Sequence, residues 1–118
     1  PLDDAETLKF DDSGRIIEIG KIPKDYTDIM GQYIGLMKFS DIGLKQMNQV
    51  YKKVKKENNI QGKTVKSAYM TDIIQSIINN NVNVWSVPVK GQWVEIDNVK
   101  DINLEITKNR LKSIYSFQ

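Results

Sequence analysis

The fold turns on the stretch Leu8-Lys9-Phe10-Asp11-Asp12-Ser13-Gly14-Arg15-Ile16-Ile17-Glu18-Ile19-Gly20-Lys21. Two short apolar-rich runs, residues 8–10 and 15–19, flank the turn-forming cluster at 11–14, whose glycine can supply a positive φ. This pattern predicts a β-hairpin. Gly20-Lys21-Ile22-Pro23 ends it, and the polar stretch from Lys24 to Gly31 reads as a surface loop. Gln32-Tyr33-Ile34-Gly35-Leu36-Met37-Lys38-Phe39 follows. Its near-continuous apolar character predicts a strand covered on both faces, with Gly35 marking close approach by a ligand or another backbone.

Further along, Ser40 or Asp41 can cap a helix reaching about Glu57, with Leu44, Met47, Tyr51 and Val54 as its inward stripe. The Lys-rich run Lys52-Lys53-Val54-Lys55-Lys56 then becomes a solvated outer face rather than a nucleic-acid patch. Residues 58–66 are polar, contain Gly62 and read as a loop. Met70, Ile73, Ile74, Ile77 and Ile78 form the cleanest helical stripe in the chain, and Asn79-Asn80-Asn81 stops it. Residues 82–89 are β-rich, with Pro88 placing them at a strand end or edge. Gly91 turns the chain into a short strand, Trp93-Val94-Glu95-Ile96. Asp97 or Asn98 caps a last helix carrying Val99, Ile102 and Ile106, with Asp101 in its first turn. Strands and helices alternate in this half, which points to an α/β layer.

The whole chain has 118 residues, of which 40% are hydrophobic and 27% charged. That suits one soluble domain or part of one. No apolar run approaches the roughly 18 residues of a membrane span, and no leader opens the sequence, so a cytoplasmic protein without a membrane partner is expected. A net charge of +2 is too small to gather nucleic acid by itself. The absence of Cys and His excludes disulfides, thiol nucleophiles and imidazole bases. Carboxylates, lysines, backbone groups or a hard metal ion must carry any chemistry. The glycines at 14, 20, 31, 35, 43, 62 and 91 form no G-x-G pair, so neither a dinucleotide fingerprint nor a P-loop can be written.

Asp97 is the most informative single residue. Between a strand end and a helix start it can coordinate Mg²⁺, or it can simply cap its helix. Glu95 shares its strand face and could join it, or be solvated. Lys21 can meet a phosphate as a point charge, or be an ordinary loop lysine. Trp93, Trp85 and Tyr33 can offer a face to a cation or a base, or pack internally.

Four segments in order carry a resemblance: residues 15–21, 31–40, Ala68-Tyr69-Met70-Thr71-Asp72, and Gly91-Gln92-Trp93-Val94-Glu95-Ile96-Asp97 with Asp101. Together they resemble the carboxyl-terminal half of nucleotidyltransferases, nearest the phosphocholine and phosphonate cytidylyltransferases of the sugar-phosphate nucleotidyltransferase superfamily. The resemblance implies a partial Rossmann-like sheet with the hairpin and about three helices packed on it, and makes residues 1–118 the acceptor-binding portion. It implies that Asp97 is a Mg²⁺ ligand, that Lys21 meets the acceptor's phosphate, and that Gly35 and Tyr33 line the acceptor pocket. Tyr69 and Asp72 would close the acceptor side by positioning. Trp93 with Glu95 would suit a choline-type cation, and an aminoalkyl phosphonate or a sugar phosphate is the alternative acceptor. Gln32 departs from the glutamate expected before the tyrosine.

The implied reaction is attack by an acceptor phosphate or phosphonate oxygen on the α-phosphorus of a nucleoside triphosphate, with CTP the expected one. The glycine-rich nucleotide-binding half and the second metal-binding Asp of that family have no counterpart here. The chain is therefore expected to be a fragment that is inactive alone, and able to form a homodimer. The alternative reading is a non-catalytic assembly module that pairs with partners through sheet edges at residues 32–39 or 82–89.

Overall fold

The hairpin forms where its turn chemistry places it. The structure, a computed structural model, describes Leu2 and residues 5–116. Strand β1 (Leu8–Phe10) runs antiparallel to β2 (Ile16–Ile19), with Leu8 opposite Ile19, Lys9 opposite Glu18 and an irregularity between Lys9 and Phe10. The Asp11 carboxylate organises the turn by accepting hydrogen bonds from the Ser13 and Arg15 amides. Gly14 makes the reversal at φ +87°, a value that costs glycine little. Both edges of this pair are covered in part. The Met30 amide donates to the Leu8 carbonyl at 2.9 Å, the Ile16 amide to Val84 at 2.8 Å, and the Ser86 amide to Gly14 at 2.9 Å.

Helix α1 (Asp41–Glu57) starts at Ser40, whose hydroxyl accepts the Gly43 amide, and ends at Asn58, held at φ 46°. Its inward face consists of Met47, Val50 and Val54, while Leu44 and Tyr51 are exposed. The expected stripe is thus rotated: it chose Leu44 and Tyr51, and packing against α2 chose Val50. The lysines at 52, 53, 55 and 56 are exposed as expected. Helix α2 (Met70–Asn79) packs on both α1 and β2. Ile77 joins Val50, Val54 and Ile60 in the core, with Met47, Ala68, Ile73, Val82 and Val84 against them. Because the hairpin covers its second side, α2 also buries Thr71, Asp72, Gln75 and Ser76.

Three expected strands are not formed. Residues 32–39 have no ladder partner among the described residues; Leu36 is 80% exposed, and Met37 and Phe39 also face outward. Apolar content there mimics burial, but a strand also needs a hydrogen-bonding neighbour. Residues 82–89 make a single bridge, Trp85 to Arg15, rather than a ladder. Residues 93–96 form no strand ladder among the described residues, after two successive positive φ values at Gly91 and Gln92.

Contacts divide the chain into two compact units, one ending at Ser86 and one beginning at Val87. The second unit carries α3 (Val99–Asn103) and α4 (Glu105–Tyr115), which contact each other. The single expected helix is broken at Leu104, whose ψ of 135° is extended. Val99, Ile102 and Ile106, the apolar residues of that expected helix, are exposed, and Thr107 is buried. Among the described residues the architecture is mixed α/β, with a two-stranded antiparallel sheet and four α-helices. The parallel strands of a Rossmann-like sheet are not among the described elements. No described helix is long and apolar enough to cross a membrane.

Candidate functional site

Lys21 emerges from the end of β2 on a firmly held main chain. The Thr7 amide donates to the Lys21 carbonyl at 2.8 Å, and the Gly20 amide donates to the Thr7 carbonyl at 3.0 Å. The Lys21 amide donates to Thr7 Oγ1 at 3.1 Å. Gly20 has φ +79°, and a Cβ placed on it would stand 2.6 Å from the Thr71 Cβ. This contact sets Lys21 beside the first turn of α2. Its side chain is 54% exposed and its ammonium donates to Glu18 at 2.6 Å. Glu18 also meets Lys9 at 3.4 Å, and Lys9 meets Asp28 at 2.5 Å. The Lys21 hydrogen bond, ahead of Lys9, holds the Glu18 carboxyl below its usual range, and Asp28 raises the Lys9 ammonium. The outcome is an exposed cation on a rigid stem, which can bind an anion while sharing its donors with Glu18.

Tyr69 and Asp72 come together at the start of α2. The Asp72 carboxylate accepts the Tyr69 amide at 2.8 Å and both of its oxygens lie 3.0 Å from the Lys63 ammonium. Asp72 is only 4% exposed, and this geometry satisfies the helix start. The Tyr69 ring is exposed and carries Lys63 5.1 Å from its centroid. Tyr33 is half-buried, and burial raises its phenol pKa. Gly35 has φ +80°, and a Cβ there would meet no protein atom within 4 Å. Its glycine is needed for backbone conformation, since no other backbone approaches it.

In the second unit the Asp101 carboxylate accepts the amides of Asp97 and Asn98 at 3.0 and 2.9 Å, while Asn98 caps α3 through the Lys100 amide. Asn98, one of the two expected caps, therefore takes that role, and Asp97 is left exposed in front of the helix. Glu95 is exposed, and Trp93 is half-buried with the Arg110 guanidinium 6.0 Å from its ring centroid. That ring already meets a cation. Among the described residues no group of three or more acidic side chains could hold a metal ion. A hard cation here would take Asp97 as one oxygen donor and need its remaining donors from elsewhere.

Sequence reasoning missed Thr7, Lys63, Thr71 and Gln75. A signal was present in α2, where Thr71, Asp72, Gln75 and Ser76 recur at helical spacing and form a second, polar stripe beside the isoleucines.

The CTP:phosphoglutamine cytidylyltransferase of Campylobacter jejuni subsp. jejuni serotype O:2 is 39% identical over 108 residues, covering 92% of this chain and 42% of that protein. The chain is a relative of a cytidylyltransferase. It spans less than half the length of that cytidylyltransferase. No family model and no solved structure matches it. The resemblance to cytidylyltransferases read from the sequence is thus accompanied by extended identity to one.

Proposed function

We propose that this chain is the acceptor-binding and metal-contributing portion of a cytidylyltransferase that joins CMP from CTP to a small phosphorylated molecule. The observation that carries the reading is 39% identity across nearly all of the chain to an enzyme whose name specifies CTP and a phosphorylated amino-acid amide. The acceptor's phosphate oxygen attacks the α-phosphorus of CTP, the bond between the α-phosphorus and the bridging oxygen breaks, and pyrophosphate leaves. Lys21 draws the acceptor phosphate to the end of β2 and offsets its charge, with Glu18 restraining the ammonium between turnovers. Tyr33 and the turn at Gly35 border the acceptor, and Tyr69 and Asp72 fix the neighbouring helix start. Trp93 and Glu95 flank the segment that brings Asp97 forward. Mg²⁺, when bound with Asp97 among its ligands, would neutralise charge on the triphosphate.

Alignment and charge neutralisation are the whole contribution asked of these residues, which suits a chain without His or Cys. The 118 residues contain no glycine-rich phosphate cradle, so by themselves they are inactive. The test is incubation of the full-length protein carrying this chain with CTP, Mg²⁺ and a panel of phosphorylated acceptors, phosphoglutamine first. The expected result is acceptor-dependent pyrophosphate release that falls at least about a hundredfold in Lys21→Ala and Asp97→Ala. Release unchanged in both variants contradicts these assignments.

A further inference from the structure

We infer that Gln75 and Thr7 are positioning residues that hold the Ile19-Gly20-Lys21 main chain so that the Lys21 ammonium meets an acceptor phosphate. This rests on the function proposed above. Gln75 is 4% exposed in the interior of α2, where an apolar residue would be the default and an unpaired amide would be costly. Its Oε1 accepts the Ile19 amide at 2.8 Å, and its Nε2 donates to Asn79 Oδ1 at 3.0 Å. Ile19 is the last residue of β2 and is 2% exposed. Residues 84–86 cover the edge of this strand only at its other end, near Gly14 and Ile16. Gln75 therefore stands in for the missing neighbour strand next to Lys21.

From the opposite side Thr7, 2% exposed, takes the Lys21 amide with its side chain and the Lys21 carbonyl with its own amide. Thr71 closes the third side beneath Gly20. Three buried side chains thus fix a backbone whose next side chain is half in solvent. Such rigidity matters where a charge must meet a ligand, because small displacements of a positioning group cost large factors in rate.

The experiment measures steady-state kinetics of Thr7→Val, Thr7→Ser and Gln75→Leu in the full-length protein, with CTP and the phosphorylated acceptor that the wild type uses. Thr7→Val keeps shape and removes the acceptor oxygen; Thr7→Ser restores it. The expected result is an acceptor KM raised about tenfold in Thr7→Val and in Gln75→Leu, a CTP KM unchanged to within about twofold, and recovery in Thr7→Ser. Should Gln75→Leu fail to fold, the Thr7 pair decides. Acceptor KM unchanged in Thr7→Val, or acceptor and CTP KM rising together, overturns the inference while leaving the function standing if Lys21→Ala still raises acceptor KM. A wild type that transfers nothing, or an unaffected Lys21→Ala, overturns the proposed function and this inference with it.

Discussion

Glu18 faces two ammonium groups, Lys21 at 2.6 Å and Lys9 at 3.4 Å, and this sets how the hairpin responds to pH. The Lys21 hydrogen bond is the larger influence, and it lowers the carboxyl from its ordinary 4.5. A lowered folded-state value means the pair stabilises the fold above about pH 4.5 and that this contribution disappears as pH falls through the lowered value. Glu18→Gln should therefore lower stability at neutral pH and flatten its fall through that acidic window, as followed by urea unfolding across pH. Lys9 has the opposite sign: Asp28 raises it above 10.5, so its contribution is intact below that pH and fades as pH rises beyond it. Two residues on, Gly20 combines φ +79° with a neighbour, Thr71, too short to move aside. Gly20→Ala is expected to cost about 1–3 kcal/mol from strain and crowding, read as a lower urea midpoint with an unchanged slope.

The elements differ in how openly the sequence displays them. The Ser40 cap, the Asn79 stop and the Asp11–Gly14 reversal act over a few residues, so the hairpin, α1 and α2 were legible from local chemistry. Ser40→Ala should remove about 1 kcal/mol by leaving the Gly43 amide without its acceptor, measurable as a loss of thermal stability. What depends on distant partners was harder to read. The face of α1 is set by α2, which selects Val50 over Leu44 and Tyr51. Residues 32–39 and 93–96 have the composition of strands, but pairing is a property of two segments and composition reports only one. Lys21 and Asp97 stood out because their residue types can meet a phosphate or a metal ion and because the resemblance assigns them those roles. Gln75 did not, because its role exists only once Ile19 is placed against it.

At the scale of the molecule, the first unit rests on the small core of Val50, Val54, Ile60 and Ile77. Ile77 is 4% exposed, and Ile77→Ala should cost about 2–5 kcal/mol in unfolding free energy. Above that core, the polar face of α2 fixes the exit of β2 and hence Lys21, while the second unit carries Asp97 in front of α3. The function proposed above gives these separate features a common purpose, and the chain spans 42% of the cytidylyltransferase it is similar to. The most direct measurement follows the label when the full-length protein is given a phosphorylated acceptor with CTP carrying ³²P at either the α or the γ position. The account predicts that α-label moves into the acceptor product and γ-label leaves as pyrophosphate, both only when acceptor is present. Label that stays in CTP with every phosphorylated acceptor, or γ-label that enters the acceptor, would contradict it.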